Sequence, residues 1–490
     1  MLRTAHTIKW SSVFFAGLYI SGLFLWGFFF NWGDIPYQFH DWAEVNMPRL
    51  AAVQDAMQKN VLPFHLQFGN VLRCGSGCDR YLSSFDAIAS PDLILLKWMP
   101  VGMWVFLHFW MLYSAGFWGM LVLQRCFKLS MPLFAITYLL FFFNGHILAH
   151  LSVGHITWGG YFLFPWLVYL VVLFLQGDNS WRWVLKVALL LFAIFLQGSF
   201  HQFVWALIFL GFLSLAYFRR FFTVFKAMVF TCLVSAFRLI PPVLSFNNFS
   251  PVHLGGYPDL MSVYIALAHW VTPAEAMPFM HMGSNLGYWE FDLFIGKVGV
   301  WFLIFAGFAW LALQIYTRKI DWVVIPTAAL FLLSLGDVYS VFRRIPIPLL
   351  YGERVTTRII SLSLVFFIFL SIAALQKWAD RMGRWKWILE TALIPVAIYQ
   401  AVVLIPRVLA WCIIEAYVAF PFTGADLAQY TINNHADPLY FLALGGGLLV
   451  SALTIALLVW LEKCYPRPTA WLPDILTRRV KRRAINEQAR

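Results

Sequence analysis

The sequence predicts an all-α integral membrane protein: a bundle of about twelve transmembrane helices with a structured, partly amphipathic first outer loop. Three observations predict it. The chain is 61% hydrophobic and 12% charged, with a mean hydropathy of +0.74, whereas soluble domains carry about 25% charged residues. Apolar runs recur along all 490 residues, each near the ~20 residues that cross a bilayer as a helix. The runs do not alternate apolar and polar residues, as the roughly ten-residue strands of a membrane barrel would.

The runs fall at about 11–31, 101–124, 130–145, 158–176, 183–198, 201–218, 223–245, 297–316, 321–336, 359–376, 387–406 and 439–461. The first follows a basic N-terminus, Met1 to Lys9, and no small-residue cleavage site follows it, so it reads as a retained helix. The third and fifth are short and suit broken or tilted helices. The 24 Trp and 49 Phe suit lipid-facing surfaces and interfacial belts. Between the first two runs, Pro48 fits a first helical turn. Leu50, Val53, Met57 and Val61 then recur at three- and four-residue spacing, an amphipathic helix lying on the membrane and ending at Pro63.

The net charge of +12 is carried in short loops between spans, by Arg125 and Lys128, Arg182 and Lys186, Arg219, Arg220 and Lys226, Arg318 and Lys319, and Lys377 to Lys386. That placement is a topology signal and argues against nucleic acid as a partner. It puts both termini in the cytoplasm, with residues 1–461 as the transmembrane domain and 462–490 as a basic cytoplasmic tail. The long loops at 32–100, 246–296, 337–358 and 407–438 lie on the other side and hold most of the acidic residues, so the chemistry is expected there.

Of six cysteines only Cys74 and Cys78 are close in sequence, in Cys-Gly-Ser-Gly-Cys, and they are candidates for a disulfide. A zinc site would need two more ligands, and only His65 is near.

Asp34, Asp41 and Glu44 follow the first span closely, on a chain with 23 acidic residues. A carboxylate at the membrane surface can take a proton from an acceptor hydroxyl in a transferase, and it can equally be a helix cap or a solvated loop acid. His146, His150 and His155 end the third run. The i, i+4 spacing of His146 and His150 occurs in metal sites, but HExxH is absent because Ile147 replaces the acid, and hydrogen bonding to a substrate or to a structural carbonyl is the favoured role. His201 lies on an outward turn, where it lines a shared cavity or follows a cap at Ser199. Arg238 lies in an apolar run before Pro241 and Pro242, which are expected to break the helix beside a cavity that holds the arginine, unless it snorkels to the outer face. Arg354 and Arg358, a helical turn apart, would clamp a phosphate or pair with Glu353. Tyr288-Trp289-Glu290 holds aromatics for a sugar face or an interfacial belt.

In order along residues 30 to about 375, several short motifs resemble the GT-C superfamily of polytopic glycosyltransferases, most closely its bacterial YfhO-like branch. They are Gly33-Asp34 with Asp41-Trp42, Leu62-Pro63-Phe64, Ser90-Pro91-Asp92-Leu93, Asn144-Gly145-His146 with Gly154-His155, and Gly159-Gly160-Tyr161. Leu239-Ile240-Pro241-Pro242, Trp289-Glu290 before Gly296, and Glu353-Arg354-Val355 with Arg358 complete them. The stretch from Asn70 to Arg80 departs from that pattern.

The resemblance implies a polyprenyl-phosphate sugar donor, inverting transfer, and an active site outside the bacterial cytoplasmic (inner) membrane. It places the catalytic acid at Asp34 or Asp41, with a glycan, lipid or protein as acceptor and a divalent cation as a possible cofactor. The rival readings are a catalytically silent subunit of a larger membrane complex, or a transporter of lipid or polysaccharide. Against the transporter stand the lack of a clear inverted repeat and the few charges at mid-membrane.

Overall fold

A computed structural model describes residues 10–60, 68–70, 87–243, 253–276, 286–345, 353–420, 430–432 and 437–465. The Cys74/Cys78 pair, the Leu62-Pro63-Phe64 motif and the basic tail lie outside the described residues. Among those described, eight helices are long and apolar enough to cross a membrane, or nine if the pair Phe200–Ala216 and Phe218–Val234, bent by 112°, forms one span. The protein is an α-helical, multi-pass membrane protein.

The eight helices are Trp10–Phe29, Val101–Phe127, Met131–Ser152, Ile156–Leu175, Gly296–Thr317, Thr356–Arg381, Gly383–Ala410 and Pro438–Cys464. The other four expected runs fall on shorter helices. Trp181–Leu196 has 16 residues, Phe200–Ala216 has 17, Phe221–Val234 has 14 and Val324–Leu333 has 10. The broken helix expected in the third run occurs at Phe143 and Asn144, between Met131–Phe142 and Gly145–Ser152. Pro241 and Pro242 do not end their helix. They lie inside Ala236–Val243, and the break comes earlier, at Ser235.

Burial sorts the helices. Met131–Ser152 and Thr356–Arg381 are each 89% buried and form the centre. Trp10–Phe29, Gly383–Ala410 and Pro438–Cys464 are 22%, 17% and 28% buried and form the lipid-facing rim. Inside a membrane, packing and interhelical hydrogen bonds hold helices together more than the hydrophobic effect does. Two such devices recur here. Phe209 stacks on Phe366 at 4.0 Å, and Tyr138 donates to Leu18 O at 2.9 Å while meeting the Tyr113 hydroxyl at 3.1 Å.

The bundle has two unlike ends. Arg125, Lys128, Arg182, Arg220, Arg318, Arg381 and Lys386 gather at helix ends on one side. The helix ends near Phe29, Ser152, Ile156, Phe200, Gly296, Thr356 and Ala410 gather on the other. There the expected amphipathic helix is seen as Met47–Gln58, with Pro48 in its first turn and with Leu50 and Val53 buried. Its Gln54 side chain holds it to Leu96 O and Met99 O. Strands Phe68–Asn70 and Tyr430–Ile432 pair antiparallel, with Gly69 opposite Thr431, and tie the first outer loop to the last.

A candidate active site built on Asp41, His155 and Arg358

The broken third span prepares the site. Asn144 caps Gly145–Ser152 by accepting the Ile147 N–H at 3.3 Å, and its amide donates to Leu140 O, Phe141 O and the Tyr161 hydroxyl. One side chain thus closes one helix and opens the next, as N-cap chemistry requires. His146 and His150 then share a face, with ring centroids 4.5 Å apart. The Trp158 indole donates to His146 Nε2 at 3.0 Å, and His150 Nδ1 and His155 Nδ1 share a hydrogen bond at 2.7 Å.

The first outer segment is stapled onto this histidine turn. His40 Nδ1 bonds Val153 O at 3.1 Å, the Trp42 indole donates to Ser152 O at 3.0 Å, and the Asn46 amide donates to Gly154 O at 2.5 Å. Gly154 has a φ of +95°, and a Cβ there would come within 2.7 Å of the Trp42 nitrogen. Only glycine allows this approach. His40 itself is held at a φ of 42°, a left-handed conformation that costs a non-glycine residue energy and clusters at functional sites. The result places Asp41 Oδ2 3.2 Å from His155 Nε2. Asp41, His155 and His150 therefore form a chain of polar contacts. When His155 Nε2–H donates to Asp41, its Nδ1 accepts from His150.

Arg358 and Glu290 form the second half. Arg358 Nε and Nη2 donate to the two Glu290 oxygens at 2.6 and 2.5 Å, a bidentate pair, and the guanidinium lies over the Trp158 ring at 4.9 Å. Thr357 holds the Glu290 carbonyl at 2.5 Å. Beside it, Glu353 Oε2 accepts from the Trp205 indole and meets His201 Nδ1, both at 2.9 Å.

Charges follow from these contacts. Burial opposes ionisation of Asp41, but the His155 hydrogen bond and the charges of His155, His40 and Arg358 outweigh it and hold its carboxyl down at about 2. Burial likewise opposes ionisation of Glu290 and Glu353, yet Arg358 keeps the first below the usual carboxylate range and His201 the second. Burial lowers the His40 imidazole, against the opposing pull of the Asp41 carboxylate beside it.

Some expected site residues lie elsewhere. Asp34 is exposed, and its carbonyl accepts the Asn31 amide at 2.7 Å. Glu44 lies in the π-helical turn Trp42–Asn46, and its side chain is outside the described residues. Arg354 is exposed and lies ahead of the turn Thr356–Ile359, so it and Arg358 do not share a helical face or form the expected clamp. Glu353, expected as the partner of these arginines, takes His201 instead. Arg238 is buried, with its guanidinium 5.5 Å from the Phe195 ring. Ser199 does not cap its own helix. It accepts the Gly160 N–H at 2.8 Å and donates to Thr157 O.

One group escaped the sequence reading. Asp292 and Arg407 form an ion pair, both fully buried, and Arg407 also donates to Val271 O. Trp270, Phe294 and Trp411 box its guanidinium. Asp292 is two residues from Glu290, so the pair anchors the Glu290 turn to the rim helix Lys386–Ala410. The signal was present, because Arg407 interrupts an apolar run just as Arg238 does.

Among the described residues, two trios have ligand atoms close enough for a metal: His40, Asp41 and His155, and His150, His155 and Glu290. Neither fits one as arranged. His40 Nδ1 faces the Val153 carbonyl, and both Glu290 oxygens are held by Arg358. No protein-family model, curated protein or solved structure matches the chain.

Proposed function

We propose that this chain is a GT-C-like membrane glycosyltransferase of about twelve spans, moving a sugar from a polyprenyl-phosphate donor to an acceptor hydroxyl outside the cytoplasmic membrane. The observation that carries the reading is Asp41, the first-loop acid that reaches a histidine chain and senses the charge of Arg358. The acceptor oxygen attacks the anomeric carbon as the bond to the lipid phosphate breaks, and the bonding pair leaves with the phosphate. A single displacement inverts the anomeric centre and needs no enzyme nucleophile. The acceptor proton passes to the pair of Asp41 and His155. A carboxyl held at about 2 is a weak acceptor alone, because an effective base has a pKa near the working pH. Asp41 therefore orients the hydroxyl, and His155 takes the proton at Nε2 in the tautomer that carries its hydrogen on Nδ1 and donates it to His150.

Arg358 offers its remaining Nη1 donors to the departing phosphate, while Glu290 and Trp158 fix its plane. His146, His150 and His201 shape the cavity around them. The basic helix ends face the cytoplasm on this reading, which puts the site on the opposite face.

The mutual satisfaction of Glu290 and Arg358 favours a second reading, a GT-C fold kept as a structural subunit. Native mass spectrometry after mild purification separates the two. A retained polyprenyl phosphate supports the transferase. Stoichiometric membrane subunits with no polyprenyl phosphate support the scaffold.

A further inference from the structure

The basic end of the bundle, remote from Asp41, holds a cavity of about 1080 Å3 between the first helix, the start of Met131–Phe142 and the rim helix Lys386–Ala410. Its lining changes character along the bundle axis. Ser11, Ser12, Arg125, Ser130 and Thr391 line it at the helix ends. One to two turns further in, the same helices present Phe15, Ala135, Ile394 and Ile398. The last two are 46% and 60% exposed, so the inner part opens onto the lipid-facing rim.

The polar end has unspent capacity for an anion. Arg125 is exposed and has no hydrogen bond or ion pair with a described residue. The Ser130 hydroxyl is buried without a partner. Ser130 is also the N-cap of Met131–Phe142, yet its side chain makes no capping bond. The positive dipole end of that helix is therefore left without a side-chain cap beside the cavity, although Pro132 offers no N–H and the Ser130 N–H goes to Gln376 Oε1 at 2.8 Å. Glu390 adds an acid to the lining; Lys386 Nζ lies 3.5 Å from it and 2.7 Å from Asp380, so among the described lining residues Arg125 is the cation available to an anion.

We propose that this cavity is a binding site for one glycerophospholipid. The phosphodiester sits on Arg125, Ser130 and the Met131 helix N-terminus, and an acyl chain follows Phe15, Ala135 and Ile394. The polar-to-apolar order along the axis matches a lipid standing in a leaflet, and basic pockets between spans are known to hold lipid head groups. The site is independent of the transferase reading.

The test is native mass spectrometry of the purified full chain titrated with dioleoyl phosphatidylglycerol, beside dioleoylglycerol, which has the same chains and no phosphate. One retained phospholipid and no retained diacylglycerol is the expected result. Arg125→Gln weakens retention about tenfold, the size of one charge-assisted contact. Ala397→Trp, which fills the cavity from the rim helix, removes the bound lipid with the melting temperature unchanged. Equal binding of diacylglycerol, wild-type retention by Arg125→Gln, or no phospholipid on the wild-type protein each overturns the proposal.

Discussion

His155 Nε2 stands 3.2 Å from Asp41 Oδ2, and the opposite edge of the same imidazole meets His150 at 2.7 Å. This contact draws the first outer segment onto the broken third span, residues more than a hundred positions apart in the chain. It also explains why Asp41 stays ionised although it is partly buried.

The Asp41 contact has a pH signature. Its carboxyl is held at about 2 in the folded protein, against 3.8 unperturbed. A depressed carboxylate contributes stability above its unfolded pKa and loses it as pH falls through the folded value. Melting temperatures of wild type and Asp41→Asn should therefore differ most above about pH 4 and converge toward pH 2. A constant gap across that window would contradict the assignment.

Glu290 and Arg358 form a buried bidentate pair. Removing one partner leaves an uncompensated charge, and Glu290→Gln or Arg358→Met should each cost about 3–5 kcal/mol of stability. Replacing both with Met should recover much of that loss. Arg358→Lys should not rescue, because an ammonium lacks the planar fork. Chemical unfolding of the four variants in detergent checks the whole set.

Gly145 sits against the Glu290 turn from the other side. Its N–H donates to Phe294 O at 2.8 Å, and a Cβ there would overlap the Asp292 carboxylate. Gly145→Ala should destabilise the protein by about 1–3 kcal/mol, as overpacking does. Because Asp292 also holds Arg407, Asp292→Asn should cost more than Gly145→Ala in the same thermal assay.

The helical class was legible because apolar runs of spanning length leave little else possible. Asp41, His146, His150 and His155 were legible as candidates because polar groups beside a span are costly unless used. Partner choice was not. Arg354 and Arg358 look equivalent in sequence, yet a 3-10 turn at Thr356–Ile359 buries Arg358 against Glu290 and leaves Arg354 outside. Asp34 and Asp41 look equivalent too, and only the staples from His40, Trp42 and Asn46 separate them. Such pairings join segments far apart in the chain, so local spacing carries no trace of them.

Transfer of labelled sugar tests the central claim most directly. Purified wild type, Asp41→Asn and Asp34→Asn are placed in liposomes with a panel of labelled polyprenyl-phosphate sugars and a membrane extract as acceptor. The account predicts transfer by wild type, nearly equal transfer by Asp34→Asn, and a loss of about 10²–10⁴-fold in Asp41→Asn. Full transfer by Asp41→Asn, or no transfer by wild type from any donor in the panel, would contradict it.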